Sequence, residues 1–488
     1  VVTGNAHSRP VTGQRGAVAA AHPLAVSAGL GVLDDGGGAL DAAIAAQAVI
    51  CVLMPQAAGL GGDLMALVHE PGAAVTAVNG NGLTPAAATA PGADGGASVT
   101  VPGLVDGWVE AHRRWGRVPL SRVLAPAARL ADQGHPVDAD LVRAVTAQRA
   151  RLERGGAADW PLLSQSVGDR WRQPELAALL RAVAERGRDA FYTGPVATAL
   201  AGAVRRHGGW LDPADLADHR TVTAAPLTVD WAGGRLHVQP PSSQGVLLAM
   251  AARWLEHGGP TGDDLLDHLL VEVTEAAFGH RDSCPRGAAL LTEPLEVDRH
   301  RARRRGGPRG YLHTAGVATA DATGQVVSSL VSVFDDFGSG VYVPAAGIVL
   351  NNRAGGFTAG DNAPGPARRP VHTLAPALLV DPAGAPLALA TPGADGQVQV
   401  LLQILARLRY DRANLAAALA APRWRSQAGE LLVEDDHPGS ADLAARGHAV
   451  RALPAGDELF GAVVAAGLAG TGPFAAADWR RLVWSGVV

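Results

Sequence analysis

Two apolar runs, Val317 to Ala320 and Gln325 to Phe334, flank the tetrapeptide Asp321-Ala322-Thr323-Gly324. Aspartate, threonine and glycine favour a tight reversal, and apolar runs on either side favour strands, so the segment predicts a β-hairpin. A symmetric turn through the tetrapeptide pairs Thr314 with Val331 and leaves Ser332 one residue out of register. A β-bulge, a feature frequent beside active sites, would then bring the Ser332 hydroxyl to Thr314.

Helical spacing of apolar residues over Pro23 to Leu33 and Ala39 to Val52 predicts two helices, separated by Asp34-Asp35-Gly36-Gly37-Gly38. Leu67-Val68-His69 and Val75-Thr76-Ala77-Val78 flank Pro71-Gly72 and predict a second hairpin. Amphipathic helices are expected over 120–133, 174–187 and 196–207. A strand is expected at Leu236-His237-Val238, and a helix from Gly245 to about Leu255. Asp395 is a candidate N-cap for a helix over Val398 to Leu408. Residues 281–310, rich in arginine, glycine and proline, read as a mobile, solvated loop, with a polyanion site as the alternative. His268 and Glu272, one helical turn apart, read as an exposed pair, and Asp63 after Gly61-Gly62 as a turn or structural polar residue.

The chain's 488 residues, 48% of them hydrophobic, with a formal charge of -5, suffice for a large core and give no sign of disorder or nucleic-acid binding. All 41 basic residues are arginine, which excludes a lysine Schiff base and a lysine-bearing phosphate loop. Two cysteines, Cys51 and Cys284, make no disulfide framework and read as buried small hydrophobes. There is no HExxH motif, so no metal is expected, and no cofactor is implied. The start, Val1 to Pro10, lacks the charged and apolar regions of a signal peptide, and no run of about 18 apolar residues is present. The expectation is a cytoplasmic protein with no membrane partner.

Ordered motifs span nearly the whole chain. They are Ala19-Ala20-Ala21-His22-Pro23, Gly36-Gly37-Gly38-Ala39-Leu40-Asp41-Ala42-Ala43, Gly59-Leu60-Gly61-Gly62-Asp63, Pro102-Gly103-Leu104-Val105, Pro240-Pro241-Ser242-Ser243-Gln244-Gly245 and Thr391-Pro392-Gly393. With Thr314 to Ser328, Phe337-Gly338-Ser339-Gly340 and Asn351-Asn352-Arg353, the chain resembles the gamma-glutamyltranspeptidase family of N-terminal-nucleophile hydrolases. That resemblance implies an α+β fold, a four-layer αββα sandwich.

It also implies self-processing. The Thr314 hydroxyl would attack the carbonyl of His313, and after an N-to-O acyl shift water would release residues 1–313 and 314–488 as a heterodimer in one intertwined fold, with a higher oligomer left open. An internal threonine hydroxyl is a weak nucleophile, whereas an N-terminal threonine carries its base in its own α-amine, of reference pKa about 7.7–8.0. Ser332 would support it, and the backbone N–H groups of Gly393 and Ala394 match the family's oxyanion hole, Ala394 standing where the family has glycine.

The glutamyl-recognition set is rewritten. The arginine that grips the substrate α-carboxylate falls at Asn81, the aspartate for the α-ammonium at Gly356, the paired serines at His372 and Thr373, and the pocket asparagine at Phe334. The family's Thr-Thr-His start becomes Thr314-Ala315-Gly316. An arginine fork supplies a bidentate carboxylate contact that asparagine lacks. Arg353, in the adjoining loop, is a candidate replacement charge or else a surface or supporting residue. His372 is a neutral donor, a cation near neutral pH, or merely structural.

The resemblance therefore points to a small-molecule hydrolase redirected from glutathione to an amide or, as in relatives from pathways to proline-derived antibiotic building blocks, a carbon–carbon bond next to a carbonyl. The rival is a silent, unprocessed member acting as a scaffold or binding protein.

Overall fold

The predicted hairpin forms and stands inside a large sheet. In the computed structural model, which describes residues 9–305 and 314–488, strands Ala315–Asp321 and Val326–Ser332 pair antiparallel. The register is not that of a four-residue turn: Ala315 faces Val331 and Ala320 faces Val326, because the reversal takes in Gln325 as well. The Asp321 N–H donates to Gln325 O at 3.0 Å, and Gly324 adopts φ +100°. Asp321 Oδ1 accepts from the N–H groups of Thr323 and Gln325, and its Oδ2 from Ala39 at the start of a distant helix. Continued by one residue, this ladder sets Thr314 opposite Ser332, so the expected bulge is not needed.

Among the described residues seven strands build this sheet, in the order Trp484–Val487, Gly16–Ala20, Ala315–Asp321, Val326–Ser332, Asp63–His69, Thr76–Gly80, Val222–Ala224, all antiparallel. A second antiparallel sheet, of seven strands among the described residues, runs Val11–Thr12, Gly472–Ala477, Val464–Ala469, Pro386–Ala390, Ala377–Val380, Gly234–Val238, Leu227–Trp231. Successive side chains of a strand face opposite ways. Val317, Val327 and Val331 accordingly pack under helices Pro23–Asp34 and Ala39–Leu53, while Ala318, Ala320, Val326 and Leu330 pack against Leu378, Ala388 and Val464 of the second sheet. Leu236, Val238, Ala377 and Leu389 cover that sheet's far side together with helices Gly245–Gly258, Leu266–Phe278 and Gly396–Arg409. The fold is thus α+β, with the Thr314 strand buried on both faces.

Helices Leu120–Gln133, Pro174–Arg186 and Gly194–Arg206 lie where their apolar spacing predicts, and strands Asp63–His69 and Thr76–Gly80 form the second hairpin. Cys51 and Cys284 are buried and unpaired, and burial pushes both thiols up.

Two expectations are overturned. Of the loop predicted over 281–310, the described part to Arg305 is a docked arm. Arg281–Thr292 forms 3₁₀ turns, Arg299 pairs with Asp264 and lies over the Trp254 ring at 5.6 Å, and the N–H groups of Arg303 and Arg305 donate to Glu272 Oε1 at 2.9 Å and Glu275 Oε2 at 3.0 Å. Residues 306–310 lie outside the described residues. The pair His268 and Glu272 is buried, not exposed: Glu272 grips the arm, and His268 bridges His448 at 2.8 Å and the Asp298 carbonyl at 2.9 Å. Arginine-rich composition is the same for a solvated loop and for a paired one, and here two of the acids that hold it, Glu272 and Glu275, sit on the buried helix Leu266–Phe278.

Candidate active site

Four polar side chains end four adjacent strands. Ser332 is paired with Asp63 in the ladder, Leu64 with Gly80, and Ala315 with Val331, so one row crosses the sheet as Thr314, Ser332, Asp63, Asn81. Strand neighbours are spaced about 4.8 Å apart and point the same way. Thr314 Oγ1 lies 3.5 Å from Ser332 Oγ, which also accepts the Phe334 N–H at 2.9 Å. Both hydroxyls are buried. Close packing of this row depends on glycine: a Cβ on Gly62 would stand 2.3 Å from the Ser332 carbonyl oxygen.

Asp63 is no turn residue. It starts its strand fully buried, and its Oδ2 accepts from Arg353 Nε at 2.8 Å and His372 Nε2 at 3.2 Å. Burial alone would push the Asp63 carboxyl up, but Arg353 and His372 outweigh it and hold the group below the usual range. His372 Nδ1 accepts the Leu374 N–H at 3.1 Å, which leaves the ring proton on Nε2, facing Asp63. Burial, then repulsion from Arg353, pushes His372 down to about 4, so it is a neutral donor at neutral pH and not a cation. Arg353 is enclosed rather than at the surface, with its guanidinium 4.6 Å from the centre of the Phe334 ring. Its Nη1 and Nη2 find no acceptor among the described residues.

Phe334 itself is held at φ +85°, where a bulky residue costs about 1–3 kcal/mol. Asparagine, the residue that the family resemblance puts there, tolerates that backbone.

Gly393 and Ala394 follow strand Pro386–Ala390 and precede helix Gly396–Arg409 at φ +117° and +49°. Neither N–H donates to an acceptor among the described residues. The Ala394 carbonyl is fixed by the Gln244 amide at 2.9 Å. Two free N–H groups at the start of a 14-residue helix make a natural oxyanion site. Asp395 occupies the cap position without a capping hydrogen bond; its carboxylate instead pairs with Arg281 Nε at 3.3 Å. The buried Arg425 guanidinium lies against the same turn, 2.8 Å from where a Cβ on Gly396 would sit. Alanine in the left-handed region costs about 1 kcal/mol or more. Ala394→Gly is therefore expected to raise stability by about 0.5–1 kcal/mol, seen as a higher denaturant midpoint; an unchanged or lower midpoint would show that the turn is not strained.

The remaining predicted residues gather around this row. Asn81 is buried, donates from Nδ2 to Ser242 Oγ at 3.0 Å, and offers its carbonyl to Arg369 Nε at 2.7 Å. Gly356 is buried where a Cβ would meet the Val371 carbonyl at 3.1 Å, so an acidic side chain has little room. Thr373 is buried and tied by its carbonyl to the Gln244 amide at 2.8 Å. His313 lies outside the described residues. Asp63, Arg369, Arg281 and Arg425 were missed. Of these only Asp63 had a visible signal, an acid opening an otherwise apolar strand.

His219, its Nε2 3.1 Å from where a Cβ on Gly103 would sit, is pushed down to about 4, chiefly by burial. His219 and His372 thus have folded pKa values below the unfolded value of about 6.5, so the unfolded chain binds more protons in that window. Stability is full above pH 6.5 and falls as pH drops toward 4, by up to about 1.4 kcal/mol per pH unit for each group. Denaturant midpoints at pH 7.5, 6 and 5 should fall in that order; equal midpoints would contradict it.

Among the described residues no three acidic, histidine or cysteine side chains cluster to hold a metal, and no helix is long and apolar enough to cross a membrane.

The chain is similar to known proteins along nearly its whole length. The gamma-glutamyltranspeptidase family profile matches residues 25–289 and 294–483. The chain is 33% identical over 459 residues to the glutathione hydrolase-like YwrD proenzyme of Bacillus subtilis, covering 86% of each. It is 33% identical over 455 residues to the oxamate amidohydrolase proenzyme of Klebsiella pneumoniae, again covering 86% of each. The solved cephalosporin acylase from Bacillus halodurans superposes with a TM-score of 0.88 at 28% identity, over 98% of this chain and 97% of that one.

Proposed function

Since the chain belongs to the gamma-glutamyltranspeptidase family and is a hydrolase of that family, we propose that Thr314, freed by cleavage after His313, is its nucleophile and that its substrate is a small non-glutamyl amide. The observation that carries this reading is the placement of Thr314 immediately before a buried central strand with the Ser332 hydroxyl 3.5 Å away. The two helix-backed sheets are, in this reading, the family's four-layer αββα frame.

The freed α-amine of Thr314 takes the hydroxyl proton as the oxygen attacks the scissile carbonyl. Negative charge develops on the carbonyl oxygen, where the N–H groups of Gly393 and Ala394 stabilise it. The amine then returns the proton to the departing nitrogen, and water, activated by the same amine, releases the acid. Ser332 fixes the nucleophile's rotamer.

An amide is favoured because one relative is an amidohydrolase and a structural neighbour an acylase. Glutathione is disfavoured by Asn81 and Gly356, which offer neither an arginine fork nor an acid. Carbon–carbon hydrolysis next to a carbonyl is the second reading because Phe334 puts an apolar ring beside Arg353, two residues past Ser332; the same oxyanion site would serve, with a stabilised carbanion as leaving group. N-terminal sequencing of purified protein tests the premise. One chain beginning at Thr314 is expected, and a single persistent chain would bring the silent-scaffold reading forward. Turnover of simple anilides, set against aryl ketones, then separates the two bonds.

A further inference from the structure

One short stretch of the docked arm holds two loops of the site at once. Arg281 and Asp282 open the Arg281–Thr292 turns, which are seated by Cys284 and Leu290, fully buried in the core shared with helices Gly245–Gly258 and Gly396–Arg409. From this seat the two side chains reach different loops. Arg281 Nε lies 3.3 Å from Asp395 Oδ1, at the residue that follows Gly393 and Ala394. Asp282 Oδ1 accepts the Thr358 hydroxyl, whose oxygen accepts from Asn362 Nδ2 at 2.8 Å. Asn362 in turn donates to the Gly356 carbonyl at 2.9 Å and accepts the Val371 N–H at 2.8 Å, next to His372. The carboxylates that act on Arg281 are Asp395 and Asp282, and Asp395 acts on Arg425 as well.

An aspartate at the start of a helix ordinarily accepts from the helix's first N–H groups. Asp395 makes no such bond and turns to the arm instead. Holding its carboxylate on Arg281 keeps an anion off the positive helix end, where the substrate oxygen develops its charge.

We propose that Arg281 and Asp282 are positioning residues of the site. Arg281, through Asp395, fixes the N–H groups of Gly393 and Ala394; Asp282, through Thr358 and Asn362, fixes the loop that carries Arg353 and Gly356. The proposal rests on Thr314 as nucleophile and on that turn as the oxyanion site. Both residues precede Thr314 in the chain and the side chains they hold follow it, so the segment before the break sets the geometry of the segment after it. The two links bear on different steps. An oxyanion donor acts on the transition state, so its displacement lowers kcat, whereas a displaced pocket wall weakens binding and raises KM.

The test uses matured wild-type protein, Arg281→Gln, Arg281→Lys, Asp282→Ala and Thr358→Val. Hydrogen exchange read by mass spectrometry needs no substrate. The segment 391–397 contains the N–H bonds of Gly396 and Gln397 back to the Gly393 and Ala394 carbonyls. In Arg281→Gln that segment is expected to exchange about 5- to 10-fold faster, with 353–362 unchanged, and in Asp282→Ala and Thr358→Val the reverse. With butyryl p-nitroanilide, Arg281→Gln should lose about 10- to 100-fold in kcat at nearly constant KM, and Arg281→Lys should recover most of it. Asp282→Ala and Thr358→Val should raise KM about 5-fold with kcat nearly kept. Variants that loosen both segments and shift both constants alike would make the arm a general brace and overturn the proposal, as would exchange unchanged in all of them. If matured wild-type protein turns over no anilide, the amide reading fails and exchange alone decides: loosening confined to the expected segment supports the two roles, and its absence overturns them. Protein that stays one chain removes Thr314 as nucleophile, and the proposal falls with it.

Discussion

Thr314→Ala is expected to leave one uncleaved chain and to lower turnover at least about 10⁴-fold, the scale seen when a catalytic nucleophile is removed. Thr314 is buried and its hydroxyl faces Ser332, so the methyl side chain of alanine fits without disturbing the strand. The loss would then be chemical: no oxygen is left to attack the preceding carbonyl, and none to attack a substrate. Thr314→Ser, which keeps the oxygen, should process and retain partial activity. Intact mass and single-turnover kinetics on the three proteins check this. Two chains in the alanine variant, or activity within a few-fold of wild type, would remove Thr314 from the reaction.

The second large effect is expected at Asp63. Asp63→Asn keeps the shape of the side chain but takes away the only carboxylate within ion-pair distance of Arg353 among the described residues, and both are fully buried. Breaking a buried pair by removing one partner costs about 3–5 kcal/mol, because the other charge is left in a medium that solvates it poorly. The carboxyl is depressed in the folded state, so its contribution is present above the unfolded value of about 3.9 and lost as pH falls through the lower folded value. Chemical denaturation at pH 7.5 measures the loss. Arg353→Met combined with Asp63→Asn should cost less than the sum of the two single changes, since the double variant strands no charge. A single Asp63→Asn protein as stable as wild type would mean that the pair is not electrostatically coupled.

Much of the framework was legible because its signals are local. Apolar spacing placed the helices at 23–34, 39–53 and 120–133 to within one or two residues. The hairpin at 321–325 was legible as a turn but not in its parity, since one added residue, Gln325, moves every pairing by one. That choice is fixed in part by an Asp321 hydrogen bond to Ala39, 282 residues away, which no local pattern displays. The nucleophile and the turn at Gly393 and Ala394 came from motifs. The acid that organises the pocket did not, because Asp63 meets Arg353 and His372 across 290 and 309 residues. Docking of the 281–305 arm was hidden for the same reason.

The strand order of the first sheet bears on what a cut before Thr314 would leave behind. Ala315–Asp321 is zipped to Gly16–Ala20, and Val326–Ser332 to Asp63–His69, so strands from before and after the break lie interleaved like fingers of two hands. Severing one peptide bond there removes none of these ladders. The two products would behave mechanically as one body, inseparable by dilution and released from each other only when the sheet itself is dismantled.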